Sequence, residues 1–500
     1  MSTPTQRVAI VGGGAAGALA AVHLLREPRD RGALEIDLID RTGGFGAGVA
    51  YGTTDPLHLL NVPAVRMGAI HGRPEHFHEW LAERGEPVAE GAFMSRGLYA
   101  TYVRDLLARA EREATDARLR RHCAEVTAIA ELRGTTPARD GDSGPPGAAA
   151  PAPLELSFAD GERIEVDRVI LALGPLGAGD PIRVPAELKD SGAYVADPWA
   201  AGALEDARRA REVLVVGTGL SMVDVALTLC EGGGGPRVRA VSRHGLVPRR
   251  HRRTLTNLRR FHIPTETGRI EPMVAAVFAQ ICRVAQQGDD WRDVIDSMRP
   301  VTPVLWKALH TDERRRFLSE FQRLWDVHRF RMAPEVADRF EALQAAGRVR
   351  TEAKAIVSLE PHGERVRAFL RSPGASDLDE VEVDRVVNCS GAGSDLRRQA
   401  PPVLAGLLAA GAARPDELGL GLDVSEDGAL LGADGTPSER LFAIGALRKG
   451  VEWEAIGITE IRDHSGAVAR QIVRTGETEE IPLPTALRPV AAAPTEWEAA

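Results

Sequence analysis

The chain has 500 residues, 44% of them apolar and 27% charged, which is the composition of an ordinary globular protein. A chain of this length is expected to form two or more domains, and its formal net charge of −9 gives no reason to expect nucleic acid as a partner. No apolar run approaches the ~20 residues of a membrane helix, and the N-terminus lacks the regions of a signal peptide, so we expect a cytoplasmic protein without a membrane partner. The four cysteines lie far apart without a CxxC pair, which predicts reduced thiols rather than disulfides or a metal site.

The first strand and turn of the chain carry a dinucleotide-binding pattern. Residues 8–17, VAIVGGGAAG, are a short apolar run that ends in glycine-x-glycine-x-x-glycine and leads into an alanine-rich helical stretch. The three glycines would allow a tight turn, close approach of a pyrophosphate and close packing of the helix on the strand, and the first-turn amides would hold the phosphate charge. The alternative is a glycine-rich turn that binds no ligand. The candidate cofactor contacts here are Gly12, Gly14, Ala15, Ala16 and Gly17.

The segment after this helix supplies further candidate contacts. A strand over residues 34–39 ends at Asp40, where a carboxylate is expected to receive the ribose hydroxyls. The glycine-rich loop over residues 42–52 would let the backbone approach a large flat ligand, with Gly48 and Tyr51 as candidate contacts.

Asn61 and Val62 follow as further candidate cofactor contacts in an apolar segment, residues 57–64. The amide of Asn61 could hydrogen-bond the edge of a flavin ring, which makes Asn61 the candidate residue at the reacting edge of the ligand. Asn61 could equally be a turn residue before Pro63.

The remainder of this part of the chain alternates helices and strands. Residues 134–153, rich in Gly, Pro and Ala, predict a disordered hairpin loop. A buried strand over residues 166–174 ends at Gly174, another candidate contact of the first dinucleotide. We predict helices over 75–83 and 98–113 and strands over 123–132, 154–158 and 163–166.

A second strand–turn–helix pattern repeats this logic. Residues 213–224, VLVVGTGLSMVD, keep the first two glycines but have Met222 in the third position, which predicts looser packing of the helix on the strand. Residues 383–391 repeat the Asp-Arg-Val strand that ends at Gly174. The candidate contacts in the second turn are Gly217, Thr218, Gly219, Leu220 and Ser221.

The strand after the second turn indicates which nucleotide binds there. It runs over residues 238–241 into Ser242 and Arg243, where the first unit has its acidic residue, and an arginine suits the 2′-phosphate of NADP. Arg249 or Arg250 could assist. The alternative is an arginine at a solvated strand end.

The region between the repeats is helical and basic. Residues 272–340 predict helices that carry Arg329 and Arg331, and these arginines could bind a carboxylate or phosphate of a substrate. The alternative is a solvated helix face with Trp325 and Phe330 in the core.

The last part of the chain predicts another strand–turn–helix. A strand over residues 440–446 runs into the turn at Gly445, a further candidate cofactor contact, and a helix is predicted over residues 456–473. The amides at its N-terminus, at Ile456, could stabilise negative charge on a reduced flavin, or the helix could be structural only. We expect the last ~20 residues to fray.

The two dinucleotide motifs and the two Asp-Arg-Val strands resemble the two-dinucleotide-binding-domain flavoproteins. Within that group, GAGVAY at residues 46–51, LNVPA at 60–64, GTGLSMVD at 217–224 and SRHGLVP at 242–248 are similar to a bacterial family of FAD/NAD(P)-binding proteins. A few members of that family are flavin-dependent N-monooxygenases, including ones that oxidise the amine of aspartate to form nitrosuccinate. The layout is more distantly similar to flavin monooxygenases and to ornithine and lysine N-hydroxylases.

The resemblance implies an α/β fold with two Rossmann-like domains, the NADPH domain inserted in the FAD domain. The FAD domain would comprise residues 1–200 and 386–500, and the NADPH domain residues 201–385 with an extra helical insertion at about 256–345. FAD would bind non-covalently at the first turn and NADPH at the second. We expect both sheets to be mainly parallel and covered by helices on both faces.

The resemblance also implies a reaction. NADPH would reduce FAD, and reduced FAD would react with molecular oxygen to give a C4a-hydroperoxide that oxygenates the nitrogen of a small carboxylated amine such as aspartate. No residue stands out as a catalytic acid or base, and the absence of a cysteine pair excludes a dithiol relay. The partners would be oxygen and a small-molecule substrate, with a homo-oligomer left open. Two alternatives remain: a flavoprotein reductase or oxidase without oxygen insertion, and a non-catalytic nucleotide-binding redox sensor.

Overall fold

The computed structural model describes residues 5–29, 32–132, 152–177, 179–255, 261–391 and 395–473. Most of the predicted loop at 134–153 and all of the last ~20 residues, expected to fray at the chain terminus, lie outside the described residues.

The elements alternate along the chain as an α/β protein requires. The strands are β1 (Gln6–Val11), β2 (Leu34–Ile39), β3 (Ala117–His122), β4 (Val126–Glu131), β5 (Leu154–Phe158), β6 (Arg163–Val166), β7 (Arg168–Leu171), β8 (Tyr194–Val195), β9 (Glu212–Val216), β10 (Arg237–Ser242), β11 (Val349–Ala353), β12 (Ala355–His362), β13 (Arg365–Arg371), β14 (Asp379–Val383), β15 (Arg385–Asn388), β16 (Ala429–Leu431) and β17 (Pro437–Ala443). The helices are α1 (Ala15–Arg26), α2 (Gly48–Tyr51), α3 (His76–Glu83), α4 (Arg96–Glu113), α5 (Ala186–Asp190), α6 (Glu205–Arg209), α7 (Leu220–Cys230), α8 (Ile270–Gln286), α9 (Trp291–Ser297), α10 (Thr302–Ala308), α11 (Thr311–Arg316), α12 (Gln322–Arg329), α13 (Pro334–Ala345), α14 (Leu396–Gln399), α15 (Pro402–Ala409) and α16 (Ile458–Val473).

The first domain is built on a six-stranded sheet with the strand order β16-β17-β7-β1-β2-β3. Its strands are parallel except for β16, which pairs antiparallel with β17. Strands β16 and β17 come from the C-terminal part of the chain and complete a sheet that begins at β1. The predicted return of the chain into the first domain is therefore present.

The second domain is built on a five-stranded parallel sheet with the order β11-β10-β9-β15-β8. Because β8 and β15 both belong to this sheet, the second domain extends from about residue 194 to Asn388. The predicted boundaries at 200 and 386 leave β8 and most of β15 outside this domain. In the structure the second domain begins a few residues earlier and ends a few residues later than predicted.

The two domains repeat one local design. Strand β7 lies beside β1, and β15 lies beside β9, both in parallel register. The aspartate of each Asp-Arg-Val repeat binds a backbone amide near the start of the neighbouring strand. Asp167 accepts a hydrogen bond from the amide of Arg7 in β1 at 2.7 Å, and Asp384 accepts one from the amide of Glu212 in β9 at 2.9 Å. The repeat inferred from the sequence is thus a structural repeat.

Helices alone cover one face of each main sheet, whereas an antiparallel sheet with a few short helices covers the other face, a layer that our expectation of helices on both faces did not include. In the first domain, Val8 and Ile10 pack with α1, α4 and α16, whereas Ala9 and Val11 pack with the antiparallel sheet β4-β5-β6 and with α15. The second domain repeats the arrangement, with α7 and α13 on one face and the antiparallel sheet β12-β13-β14 on the other. Successive side chains of a strand point to opposite faces, so a continuous apolar run makes both faces of the sheet apolar. Such a run therefore does not indicate whether helices or a second sheet cover each face.

Helix α13 belongs to the second domain and not to the helical insertion. Its residues Val336, Ala337 and Phe340 share a core with Met222 of α7, and it connects β10 to β11. The insertion therefore spans about residues 243–333 and contains α8 to α12, rather than the predicted 256–345.

Candidate functional site

The first glycine turn, between β1 and α1, has the geometry that its sequence predicts. Gly12 has a φ of +106°, and a Cβ atom there would overlap the carbonyl oxygen of Ala172 at the end of β7. A Cβ at Gly17 would overlap the carbonyl oxygen of Gly12, so this helix packs on its strand only because residue 17 is glycine. Ala15 and Ala16 form the first turn of α1.

Asp40 lies directly after β2 and beside this turn. Its carboxylate accepts hydrogen bonds from the amide of Gly13 at 3.0 Å and from the amide and hydroxyl of Thr42 at 2.8 and 2.6 Å. These bonds fix the carboxylate at the end of the strand, which is the position that a ribose-binding acid occupies in this type of fold.

The glycine-rich loop after Asp40 folds back onto the first turn. The amide of Gly46 donates to the carbonyl of Gly13 at 2.8 Å, and a Cβ at Gly14 would lie 3.2 Å from the Cα of Gly48. Tyr51 follows in α2 with its ring 4.8 Å from that of Tyr99. Burial raises the pKa of the Tyr51 phenol, so it remains protonated.

The position of Asn61 is set by a histidine of the second domain. The Nε2–H group of His251 donates to the carbonyl oxygen of Asn61 at 3.0 Å. Burial lowers the pKa of His251 to about 3, so the ring is neutral, and Nε2 carries the proton because a carbonyl only accepts. Val62 is half-buried next to this contact. His251 had no recognisable signal in the sequence.

The C-terminal return brings Gly445 against the first helix. Gly445 has a φ of +67°, and a Cβ there would lie 3.7 Å from the Cβ of Ala16. Helix α16 begins at Ile458, two residues later than predicted, so Ile456 precedes the helix and does not form its first turn. The side chain of Ile456 is 50% exposed.

The second glycine turn copies the first. Gly217 has a φ of +108°, and a Cβ there would overlap the carbonyl oxygen of Cys389, the counterpart of Ala172. Thr218 is buried, and its hydroxyl bonds to the hydroxyl of Ser242 at 2.8 Å and to the carbonyl of Leu246 at 2.6 Å. Met222 fills the adjacent core in place of the third glycine.

The three arginines predicted near this turn differ in their surroundings. Arg243 is exposed directly after β10. Arg249 is also exposed, and its backbone amide donates to Val327. Arg250, by contrast, forms ion pairs with Asp338 at 2.5 Å and Glu341 at 2.6 Å, so it is not available as a nucleotide ligand.

A single cleft of about 1260 Å³ joins the two dinucleotide regions. The second turn, Ser242 and Arg243 line one part of it, and Gln322 and Asp326 of the insertion line another. The residues from the first domain include Asn61, Gly174, Lys449, Trp453 and Ile456. The candidate nucleotide site and the candidate flavin-edge residues therefore open into one space, to which Arg249 does not contribute.

Arg329 and Arg331 are not part of the cleft wall, which corrects the prediction that they bind substrate. The guanidinium of Arg329 is buried and forms hydrogen bonds of 2.8 to 3.1 Å with both carboxylate oxygens of Glu454. Arg331 is 1% exposed and pairs with Asp296 at 2.5 Å. The ion pair of Arg329 attaches the insertion to the C-terminal segment, and that of Arg331 joins two parts of the insertion.

Asp326 and Lys449 are cleft residues that the sequence did not single out. Burial raises the pKa of Asp326 to about 6 and lowers that of Lys449, while each group's charge moves the other's pKa in the opposite sense. The ammonium group of Lys449 lies 4.9 Å from the ring centre of Trp453. Their sequence neighbourhoods contain no motif, because the pair forms only when the insertion and the C-terminal return come together.

All four cysteines are described, and each is free. Cys389 lies in the cleft wall, where burial raises the pKa of its thiol far above the usual range. Across the described ranges, no group of His, Cys, Asp and Glu could hold a metal ion. Within the same part of the chain, no helix has both the length and the apolar character needed to cross a membrane.

Comparisons with known proteins agree with this architecture. Residues 9–176 match a family model described as FAD-NAD(P)-binding. Among solved structures, an ornithine hydroxylase from Pseudomonas aeruginosa is 15% identical with a TM-score of 0.59 and covers 94% of this chain and 99% of its own. An L-lysine 6-monooxygenase from Pseudomonas syringae is 17% identical, with a TM-score of 0.60 and coverage of 95% and 100%. A cadaverine monooxygenase from Erwinia amylovora is 12% identical, with a TM-score of 0.59 and coverage of 98% and 99%. No curated protein sequence matches the chain.

At these identities the structural likeness establishes the fold. The chain has a mixed α/β fold with Rossmann-type dinucleotide-binding domains, arranged as in the solved structures named above. The family match confirms the predicted cofactor class, FAD with a nicotinamide dinucleotide.

Proposed function

We propose that the protein is an FAD-dependent, NADPH-consuming monooxygenase that oxygenates the nitrogen of a small amine bearing a carboxylate, such as aspartate. The observation that carries the proposal is the shared cleft, lined both by the second glycine turn and by Asn61, Gly174 and Ile456. A nicotinamide bound at the second turn would thus have access to the flavin edge. The similar solved structures named above are, by their names, enzymes that act on ornithine, lysine and cadaverine, which are all amines.

The residues of the first domain fit FAD. Gly12 and Gly17 let the turn and α1 pack tightly against backbone carbonyls, Gly14 leaves bare backbone at the start of α1, and Asp40 stands at the ribose position. Asn61 and Gly445 would flank the ring system. FAD supplies the redox and oxygen chemistry when bound, so the tasks left to the protein are binding, orientation and exclusion of water.

The free cysteines distinguish this reaction from that of a flavin disulfide reductase. Cys389 is the cysteine in the cleft wall, and it is unpaired and buried. Because Cys389 forms no disulfide, a reduced flavin would have no disulfide to reduce at this position. This favours direct reaction of the flavin with oxygen over a dithiol relay.

For the substrate carboxylate we propose Lys449 as the ligand, in place of Arg329 and Arg331. Lys449 lines the cleft and has an aromatic neighbour, Trp453, that shields one side of its ammonium group. A carboxylate held by this cation would fix the amine near Asn61, and positioning is the main contribution such an enzyme makes.

The test is a screen of small amines in which NADPH consumption, oxygen consumption and product mass are measured together. We expect carboxylated amines to accelerate NADPH oxidation and to gain oxygen. Lys449→Met should raise the apparent KM for such an amine roughly 10- to 100-fold with the flavin content unchanged, because a charge-assisted contact is lost. Lys307→Met is the matched control, since Lys307 is exposed and pairs with Glu426.

Three outcomes would contradict the proposal. Hydrogen peroxide release without a mass gain in any amine would indicate an oxidase. Rapid flavin reduction without oxygen consumption would indicate a reductase. Binding of both nucleotides without turnover would indicate the redox sensor.

A further inference from the structure

We propose that Arg323, in the helical insertion, binds the pyrophosphate of the nicotinamide dinucleotide at the second glycine turn, so that the insertion completes the nucleotide site. The inference rests on the proposed function only in that a nicotinamide dinucleotide must bind at this turn.

Arg323 reaches from α12 to the turn that precedes α7. Its Nη2 group donates to the hydroxyl of Thr218 at 3.3 Å and to the carbonyl of Leu246 at 3.2 Å. A Cβ built on Gly219 would lie 3.8 Å from Nη1 of Arg323. Gly219 immediately precedes the first residue of α7, and the second glycine of this motif is the point where the pyrophosphate approaches the backbone.

The guanidinium of Arg323 is bonded to neutral oxygens rather than to a carboxylate. Among the described residues, no carboxylate forms an ion pair or hydrogen bond with Arg323, whose hydrogen-bond partners there are neutral oxygens. Burial lowers the pKa of Arg323, and Asp326 on the same helix raises it. The start of α7 adds the positive end of a helix dipole at the same turn. A pyrophosphate bound at this turn would therefore meet both the guanidinium of Arg323 and the positive end of the helix.

The second domain would then divide the recognition of the nucleotide between two arginines. Arg323 lies at the pyrophosphate position, which NAD and NADP share. Arg243 follows β10, where the 2′-phosphate unique to NADP is expected. Loss of Arg323 should weaken the binding of both nucleotides by a similar factor, whereas loss of Arg243 should weaken the binding of NADP alone.

The experiment is calorimetric titration of the FAD-loaded protein with NADP⁺ and with NAD⁺, which needs no turnover. We expect Arg323→Ala to weaken NADP⁺ and NAD⁺ by a similar factor, roughly 10- to 100-fold. Arg323→Lys should recover part of the affinity, because it keeps the charge without the planar fork. Arg243→Ala should weaken NADP⁺ and leave NAD⁺ within about twofold of the unmodified protein.

Arg315→Ala is the matched control, because Arg315 lies in the same insertion, is exposed and pairs with Asp312. Flavin content and melting temperature of each variant verify that it is folded. An NADP⁺ affinity within twofold of the unmodified protein in Arg323→Ala overturns the inference, and so does a loss confined to NADP⁺. Failure of amine oxygenation would leave this titration unaffected, whereas an unmodified protein that binds neither nucleotide would overturn both proposals.

Discussion

At the scale of single residues, Arg329 and Arg331 of the insertion act chiefly on stability. Arg329 is buried against Glu454, which also accepts a hydrogen bond from Trp325 at 3.3 Å. Removing one partner of a buried ion pair leaves the other charge uncompensated. We therefore expect Arg329→Met to lower the free energy of unfolding by about 3–5 kcal/mol in chemical denaturation. Arg209→Met, which removes an exposed pair with Asp206, should cost no more than about 1 kcal/mol. Unchanged stability with a raised KM for the amine would restore Arg329 as a substrate ligand.

Asp326 makes stability depend on pH. Burial raises its pKa from 3.8 to about 6, so the folded protein binds this proton more tightly than the unfolded chain. Its contribution is present below about pH 4 and is lost as the pH rises through about 6. We expect Asp326→Asn to match the unmodified protein at pH 4 and to be more stable by roughly 2–3 kcal/mol at pH 7.5. Denaturant titrations from pH 4 to 8 measure this difference, and parallel stability profiles would contradict it.

At the scale of elements, the two glycine turns are one design used twice, with separate ligands. Gly12 and Gly217 have nearly equal φ values, +106° and +108°, and each faces the carbonyl oxygen that ends the neighbouring strand. A methyl group at either position would push that strand end away and impose a conformation that side chains rarely adopt. We expect Gly217→Ala to weaken NADP⁺ binding at least tenfold, roughly 1.4 kcal/mol or more, with FAD retained. Gly12→Ala should instead lower the flavin content, read from visible absorbance, and loss of both ligands in both variants would contradict this division.

These elements also show how far the sequence could predict the structure. The strands, both turns and the C-terminal return follow from local patterns: apolar runs, glycine spacing and the repeated Asp-Arg-Val strand. Helix α13 was assigned to the wrong unit, because helical periodicity identifies an apolar face but not the body that covers it. The antiparallel sheets on the main sheets, the contact of His251 with Asn61 and the reach of Arg323 to Thr218 join segments far apart in the chain, so no local signal marks them.

At the scale of the whole molecule, the two domains are attached through α7. Arg96, at the start of α4 in the first domain, forms an ion pair of 2.7 Å with Asp224 of α7. His58 of the first domain bonds to the hydroxyl of Thr228 at 2.9 Å on the same helix. Arg96 also binds the carbonyl oxygens of His58, through its amide, and of Leu59, through Nε, so it connects the segment before Asn61 to the helix that follows the second turn.

We expect the ion pair between Arg96 and Asp224 to affect hydride transfer from NADPH to FAD more than it affects the binding of either ligand. Burial raises the pKa of Asp224 and Arg96 opposes that rise, so Arg96→Met leaves a buried acid without its cation. We expect the variant to lose about 3–5 kcal/mol of stability. Its NADP⁺ affinity should stay within about twofold of the unmodified protein, because the second turn is intact. Flavin reduction by NADPH, measured in stopped flow, should slow roughly tenfold or more, because the hydride donor and the flavin ring lose their alignment.

Arg112→Met, an exposed change in the last turn of α4, is the control. Adding Asp224→Asn to Arg96→Met should recover part of the stability but not the reduction rate, since it removes the unpaired charge without restoring the link. A reduction rate equal to that of the unmodified protein would show that the alignment of the domains does not depend on this ion pair.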